Sequence, residues 1–333
     1  MKVVLNFHLG RDVRISVPES MLTTLRARFP DVAFAPADDP ETLAREASDA
    51  DVFYGFHFPP DLVPAAPRLR WIQSISAGIE GNLSAPVIER GILVTNGAGI
   101  AAVGIAEHVL AMMFALFRNL HVTLRLQSES RWDRPAVMAG SVAGIRELRG
   151  GRVAVLGLGP IGTEVARLSS AFGATVRGMR RHPPEVASPP YEAIVGRDGL
   201  DELLGWGDVV VLAVPHTPET ERLIGARELA LMRPDAYLVN VARGSVVDEA
   251  ALIEALRRGV IAGAGLDVFV EEPLPASSPL WALPNVILTP HIAGVTPHYF
   301  TRALDLFVDN LTRYLAGRHL RNLVDHALGY PRS

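Results

Sequence analysis

Two groups of residues in this 333-residue sequence have the types and spacing to do chemistry. The first is Gly157-Leu158-Gly159-Pro160-Ile161-Gly162, three glycines spaced as in a phosphate-binding turn. In such a turn the first glycine admits a tight bend and the second lets the backbone approach a pyrophosphate. The third lets helix and strand pack closely, while amides at the helix start face the anion. The second group lies in three separated segments, Val239-Asn240-Val241-Ala242-Arg243-Gly244, Gly265 to Pro273, and Leu288-Thr289-Pro290-His291-Ile292-Ala293-Gly294. They supply a guanidinium able to hold a carboxylate bidentately (Arg243), a carboxylate (Glu271 or Glu272) and an imidazole that exchanges protons near neutrality (His291). Taken singly, each has a plainer reading: Arg243 as a surface ion pair, His291 as a satisfied histidine beside Pro290, the glutamates as a solvated acidic turn. Their combination in one chain points to a reaction centre.

The elements around these residues are the ones that would position them. Arg152–Leu156 is a continuous apolar strand that runs straight into the glycines. Ile161, Val165, Leu168 and Phe172 then recur at helical spacing, and Gly173 stands where a helix end wants a positive φ. Strand, loop and helix in that order predict a dinucleotide site. The second strand, Thr175–Met179, ends in Arg180-Arg181-His182, with no acid in Ala174–His182 to accept hydrogen bonds from ribose hydroxyls. Arg180 and Arg181 offer charge to a 2′-phosphate, which favours NADP over NAD; the alternative is a solvated basic loop.

Strand-like runs alternate with helical periods along the rest of the chain, the pattern of helices on a parallel sheet. Strands are predicted at Val3–Phe7, Val32–Ala35, Val52–Gly55, Trp71–Ser74 and Ile92–Thr95, with helices at Glu19–Arg28 and Pro40–Ala47. A break at Asn96-Gly97-Ala98-Gly99 precedes one long apolar helix from about Val103 to Leu126, and 131–149 reads as an irregular connection. Further strands are predicted at Val209–Val214, Tyr237–Asn240, Gly263–Leu266 and Asn285–Leu288, with helices at Glu249–Arg257 and Pro297–Leu315. The three reactive segments each follow one of these strands, and ligands of open α/β sheets bind outside the strands' carboxyl ends. Two doubly wound units account for the series, and the closing helix is compatible with either. Glu107 and His108 are adjacent on their helix and project differently, which suits structural contacts rather than a dyad.

Composition closes off other classes. A net charge of −4 offers no excess of cations for nucleic acid. Cysteine is absent, so disulfides, thiolate nucleophiles and cysteine-ligated metals are excluded, and no metal is expected. Lys2 is the only lysine among 32 basic residues, which reads as codon bias. The first residues form a strand closed by His8 and Arg11 rather than a signal peptide. No run approaches the roughly 18 apolar residues of a membrane span; the nearest, Val103 to Phe117, is interrupted by Glu107 and His108. A cytoplasmic protein is expected.

With these segments in view, the sequence resembles the D-isomer-specific 2-hydroxyacid dehydrogenase family, in particular its glyoxylate/hydroxypyruvate reductase-like members. The resemblance spans nearly the whole chain and includes Ser76-Ala77-Gly78-Ile79-Glu80, Pro215-His216-Thr217-Pro218-Glu219-Thr220 and Val246-Val247-Asp248-Glu249. It implies two Rossmann-like, doubly wound α/β domains with an active-site cleft between them. A flavodoxin-like substrate domain would comprise 1–98 plus 293–333, and a dinucleotide-binding domain 99–292. It also implies NAD(P)-dependent hydride transfer to the C2 carbonyl of a small 2-oxo acid, giving a D-2-hydroxy acid. Arg243 matches the arginine that grips the substrate carboxylate and polarises the oxo group, and His291 the general acid. Glu272, directly before Pro273, matches the carboxylate that fixes the histidine tautomer and keeps the acid protonated nearer neutrality. Cofactor contacts are implied for Gly157, Gly159, Pro160, Ile161, Gly162, Arg180, Arg181, Pro215, Val241 and Asp267, the last orienting the nicotinamide carboxamide. Substrate contacts are implied for Ala77, Gly78 and Gly294 besides Arg243 and His291. His8, His57, His108, His121 and His298 match no motif and read as structural. The family resemblance further implies a homodimer built on the long helix and the 126–148 region. Two rival functions remain open. A formate or phosphite dehydrogenase shares the loop, arginine and histidine, but formate enzymes of the family carry glutamine where Glu272 stands. A nucleotide-sensing corepressor shares the fold, but would carry tails or insertions not seen here.

Overall fold

The computed structural model describes residues 1–8, 15–140 and 144–331; Arg11 and residues 141–143 of the predicted connection lie outside them. The chain divides into two compact units, Met1–Ile100 with Thr296–Ser333, and Ala101–Val295.

The first unit is built on five parallel strands, β1 (Lys2–Asn6), β2 (Ala33–Pro36), β3 (Val52–Gly55), β4 (Trp71–Ser74) and β5 (Leu93–Thr95), in the order β2-β1-β3-β4-β5. This is the flavodoxin-type order of a doubly wound sheet. Because side chains alternate along a strand, each strand feeds two cores. Val3, Leu5, Tyr54 and Trp71 meet Phe307 and Leu311 of the helix Tyr299–Leu315 on one face. Val4, Phe53 and Ile72 meet Leu43 and Ala47 of the helix Pro40–Ala47 on the other. The Tyr54 and Phe307 rings stack at 4.0 Å. The closing helix therefore belongs to this unit, a matter that its amphipathic pattern alone leaves open.

The second unit carries seven parallel strands, β6 (Arg152–Leu156), β7 (Thr175–Met179), β8 (Tyr191–Val195), β9 (Val209–Leu212), β10 (Tyr237–Asn240), β11 (Gly263–Leu266) and β12 (Val286–Leu288). Their order is β12-β11-β10-β9-β6-β7-β8, so the winding reverses between β6 and β9. Val153, Val155, Val209, Val211 and Val239 pack under the helices Ala102–Phe117 and Pro160–Ala171. Ala154, Leu156, Val210, Leu212 and Leu238 pack under Leu200–Trp206 and Glu249–Arg258.

One expectation is corrected. The predicted single helix from Val103 to Leu126 is two helices, Ala102–Phe117 and Leu120–Ser128, bent by 74°. Asn119 sits between them at φ +52°, a left-handed conformation that asparagine tolerates better than most residues. Its side-chain amide donates to the Val137 carbonyl (2.9 Å), tying the bend to the short helix Arg134–Met138 within the predicted connection. Among the described residues no single helix is long and apolar enough to cross a membrane; only this bent pair reaches that length and composition when its two helices are taken together, and half of the longer helix is buried in the core.

Candidate functional site

Six of the seven strands of the second unit end in a predicted site segment, all at the carboxyl edge of one sheet. Gly157 follows β6, Arg180 follows β7, Pro215 lies beyond β9, Val241 follows β10, Asp267 follows β11 and His291 lies just beyond β12. The winding reversal between β6 and β9 places the glycine loop beside the segment that leads to Pro215, which is where open sheets of this type bind ligands.

The three loop glycines are required for three different reasons. Gly157 has φ +97°, and a Cβ there would meet the backbone of Ala213 and Val214 at the end of β9. A Cβ on Gly162 would collide with the Gly157 carbonyl, so the first turn of the helix Pro160–Ala171 can lie against the loop only without one. At Gly159 a Cβ would meet nothing within 4 Å. The chain itself gives no reason for that glycine; the space above it suits a pyrophosphate drawn to the helix N-terminus. Gly162→Ala is accordingly expected to lose about 1–3 kcal/mol of folding stability through overpacking. Gly159→Ala should lie within about 0.5 kcal/mol of the unaltered chain. Urea unfolding of both variants checks the contrast.

Arg180 follows β7 directly, its amide donating to the Val195 carbonyl of β8 (3.1 Å). Arg181 is exposed and donates to Glu219 (2.8 Å), a residue of the Pro215–Thr220 motif. The Thr220 hydroxyl donates to the Pro215 carbonyl (2.7 Å), closing that motif into a turn. Val241 is buried, and its amide donates to Leu212 (3.3 Å).

Arg243, Glu272 and His291 come from three different strand ends, and local backbone contacts bring their loops together. A Cβ on Gly244 would fall on the backbone of Phe269 and Val270, so the loops after β10 and β11 run in direct contact. Arg243 is half-buried, its Nη1 donating to the Ala242 carbonyl (2.8 Å), while Asn240 Nδ2 holds the Arg243 carbonyl (3.0 Å). Both oxygens of Glu272 are engaged: Oε1 accepts the Phe269 amide (2.9 Å), and Oε2 lies 2.7 Å from His291 Nδ1. A carboxylate at Nδ1 keeps a proton there, which leaves Nε2 to exchange one with a ligand. His291 itself adopts φ +53°, a left-handed conformation that costs a residue with a Cβ about 1–3 kcal/mol. Glu271, the alternative carboxylate, is exposed and takes no part in this pair.

Asp267 is 2 % exposed, and its carboxylate accepts hydrogen bonds from the Thr289 hydroxyl (2.6 Å) and the amides of Ile292 and Ala293 (3.0 Å each). His108 Nε2 lies 3.0 Å from Thr289 Oγ1. His108 matches no motif and reads from sequence as structural, and no motif assigns Thr289 to the site. The partner of His108 is 181 residues away, beyond the reach of any local pattern. Gly294 packs ordinarily against Ala101 and Ile105. Ala77 and Gly78 follow β4 in the first unit, in a turn held by Asn96 Nδ2 donating to the Ala77 carbonyl (2.7 Å). Among the described residues no group of three or more His, Asp or Glu side chains is placed to hold a metal ion.

Comparison with known proteins bears on what this arrangement does. Residues 110–293 match the model of the D-isomer specific 2-hydroxyacid dehydrogenase NAD binding domain. The chain is 36 % identical to a glyoxylate reductase of Aeropyrum pernix, over 86 % of each chain. It is 33 % identical to a glyoxylate/hydroxypyruvate reductase B of Pectobacterium carotovorum, over 97 % of each. A D-isomer specific 2-hydroxyacid dehydrogenase from Xanthobacter autotrophicus, solved in complex with NADPH and MES, superposes with a TM-score of 0.82 at 31 % identity over 99 % of both chains. A glycine loop at the winding reversal and a histidine–carboxylate pair on the same sheet edge thus stand in a sequence similar to these along almost its whole length: the chain belongs to the D-isomer specific 2-hydroxyacid dehydrogenase family.

Proposed function

We propose that this chain reduces a small 2-oxo acid of the glyoxylate and hydroxypyruvate type to the D-2-hydroxy acid, using NADPH in preference to NADH. The observation that carries the reading is the 2.7 Å pair between His291 Nδ1 and Glu272, which commits Nε2 to proton exchange. Bound nicotinamide supplies the hydride. Arg243 grips the substrate carboxylate and polarises the C2 carbonyl, since a planar guanidinium offers two parallel donors. His291 delivers the proton to the carbonyl oxygen as negative charge develops on it, and Glu272 holds that imidazole in the required tautomer. The turn at Gly157–Gly162 receives the pyrophosphate, with Pro215, Val241 and Asp267 lining the same sheet edge toward the nicotinamide. In this reading the second unit is the dinucleotide domain and the first the substrate domain; the amides of Ala77 and Gly78 in the first unit and the segment at Gly294 in the second add substrate contacts.

The test is loss of NADPH absorbance with glyoxylate, hydroxypyruvate and pyruvate. Absence of turnover on every 2-oxo acid, with cofactor binding intact, would overturn the proposal in favour of a nucleotide sensor.

Cofactor choice rests on Arg180 and Arg181 at the end of β7. The Arg181–Glu219 pair is exposed on both sides, so releasing the guanidinium toward a 2′-phosphate costs little. A charged hydrogen bond is worth about 1.5–3 kcal/mol, so Arg180→Asp should shift the NADPH/NADH ratio of kcat/KM toward NADH by about 10–100-fold. An unchanged ratio would remove the phosphate-clamp assignment.

A cytoplasmic homodimer belongs to the same proposal. A chain that works with a dissociable nicotinamide must reside where that cofactor is renewed. Leu120, Leu124, Trp132 and Met138 are all exposed on the helix Leu120–Ser128 and the segment after it, and Trp132 is 97 % exposed. Apolar side chains gathered in this way mark a contact surface, and a second copy of the chain is the proposed occupant.

A further inference from the structure

Asp267 is engaged at each of its oxygens. Oδ1 accepts from the Thr289 hydroxyl (2.6 Å) and the Ile292 amide (3.0 Å), Oδ2 accepts from the Ala293 amide (3.0 Å), and the main-chain carbonyl accepts from the His291 amide (2.9 Å). One buried residue therefore fastens the whole stretch from Thr289 to Ala293. His291 sits in the middle of that stretch at φ +53°, a conformation that persists only where its surroundings impose it.

The Thr289 hydroxyl has a single proton, and its shortest contact, to Asp267, takes it. The contact of Thr289 Oγ1 with His108 Nε2 (3.0 Å) is then a hydrogen bond in which His108 donates. This fixes a proton on Nε2 of His108 and fixes the direction of the Thr289 O–H. The same Nε2 lies 3.8 Å from Asp267 Oδ1, and the His108 side chain is only 22 % exposed. It projects from the helix Ala102–Phe117, half of whose residues are buried against the sheet.

We propose that His108 is a positioning residue for the reaction: by donating to Thr289 it orients the hydroxyl that completes the shell of Asp267, and Asp267 holds the loop of His291 in the geometry for proton transfer. This rests on the reading of His291 as the proton donor. Without the His108 donor the Thr289 hydroxyl is free to turn away from Asp267. The carboxylate then loses its shortest bond, and the strained His291 backbone can relax. A shift of the reacting group by about 1 Å is enough to cost on the order of 10²-fold in rate.

His108→Leu is expected to lower kcat by about 10–100-fold with KM for the 2-oxo acid changed less than about threefold. His108→Gln, which keeps an N–H donor at similar reach, should recover most of the loss. Thr289→Val should show the same loss in kcat, and Thr289→Ser should recover it. Adding His108→Leu to Thr289→Val should cost little more, because both act along one path. Thermal unfolding of each variant separates this from loss of fold. If His108→Leu does not fold, the Thr289→Val and Thr289→Ser pair carries the test alone. Unchanged kcat in His108→Leu, or His108→Gln as impaired as His108→Leu, would overturn the proposal. His291→Ala in the same assay keeps the two ideas apart. Normal turnover there removes the proton-donor reading. An inactive His291→Ala beside a fully active His108→Leu removes the positioning role alone.

Discussion

His291→Ala should lower kcat for reduction of the 2-oxo acid by a factor of about 10²–10⁴ while leaving NADPH binding within about twofold, measured by stopped-flow turnover and fluorescence titration. On the proposed reading proton transfer is the step removed, while Arg243 still holds the carboxylate and the glycine loop is untouched by the substitution. The loss therefore belongs in kcat, and a variant whose KM rises while kcat stays put would mean that the imidazole only binds. The pair with Glu272 adds a second reading of the same site. A carboxylate 2.7 Å from Nδ1 keeps a proton on that nitrogen and so holds Nε2 toward the reacting carbonyl. Glu272→Gln can present its amide N–H to Nδ1 and so favour the other tautomer; kcat should fall by about 10–100-fold with KM little changed. An unaltered kcat would count against the assigned role of Glu272.

Arg243→Ala should have the other large effect, a fall in kcat/KM of about 10³-fold or more that is shared between a raised KM and a lowered kcat. A guanidinium that holds the carboxylate and polarises the carbonyl acts in the ground state and again in the transition state. The two components therefore move together. Arg243→Lys keeps the charge and loses the fork, and should recover only part of the loss. Complete recovery by lysine would reduce the residue to a point charge. Steady-state kinetics with varied glyoxylate distinguishes the outcomes, and a normal circular dichroism spectrum excludes a folding defect at Gly244, whose backbone lies against Phe269.

Much of this was legible in the sequence because its signals are local. The loop from Gly157 to Gly162 lies between a strand and a helix whose periods are unmistakable, and the strands ahead of Arg243 and His291 are short apolar runs, the first buried and the second partly so. Three other features were not legible, each for a physical reason. The bend at Asn119 has no proline or glycine to announce it; the apolar period carries on through Leu120 and Leu126, and the left-handed turn is paid for by a tertiary bond to Val137. Strand β8 escapes because Glu192 breaks its short apolar run and an exposed edge needs no alternation, whereas β12, the opposite edge, is an unbroken Val286-Ile287-Leu288. The link from His108 through Thr289 to Asp267 joins a helix to a strand end far along the chain, and exists only once the sheet has formed.

The first unit draws its residues from both ends of the chain, with all of Ala101–Val295 inserted between them. During synthesis the five-stranded sheet leaves the ribosome long before the helix that covers it. Until Tyr299–Leu315 emerges, Val3, Leu5, Tyr54 and Trp71 have no Phe307 or Leu311 to lie against, while the inserted unit can close its own core as one unbroken stretch. The order of maturation is thus inverted relative to the order of translation: the part made first is finished last. A premature stop after residue 295 would leave the later unit able to fold and the earlier one with a partly uncovered apolar face, shielded only by the helix Glu19–Arg28 and open to chaperones and proteases.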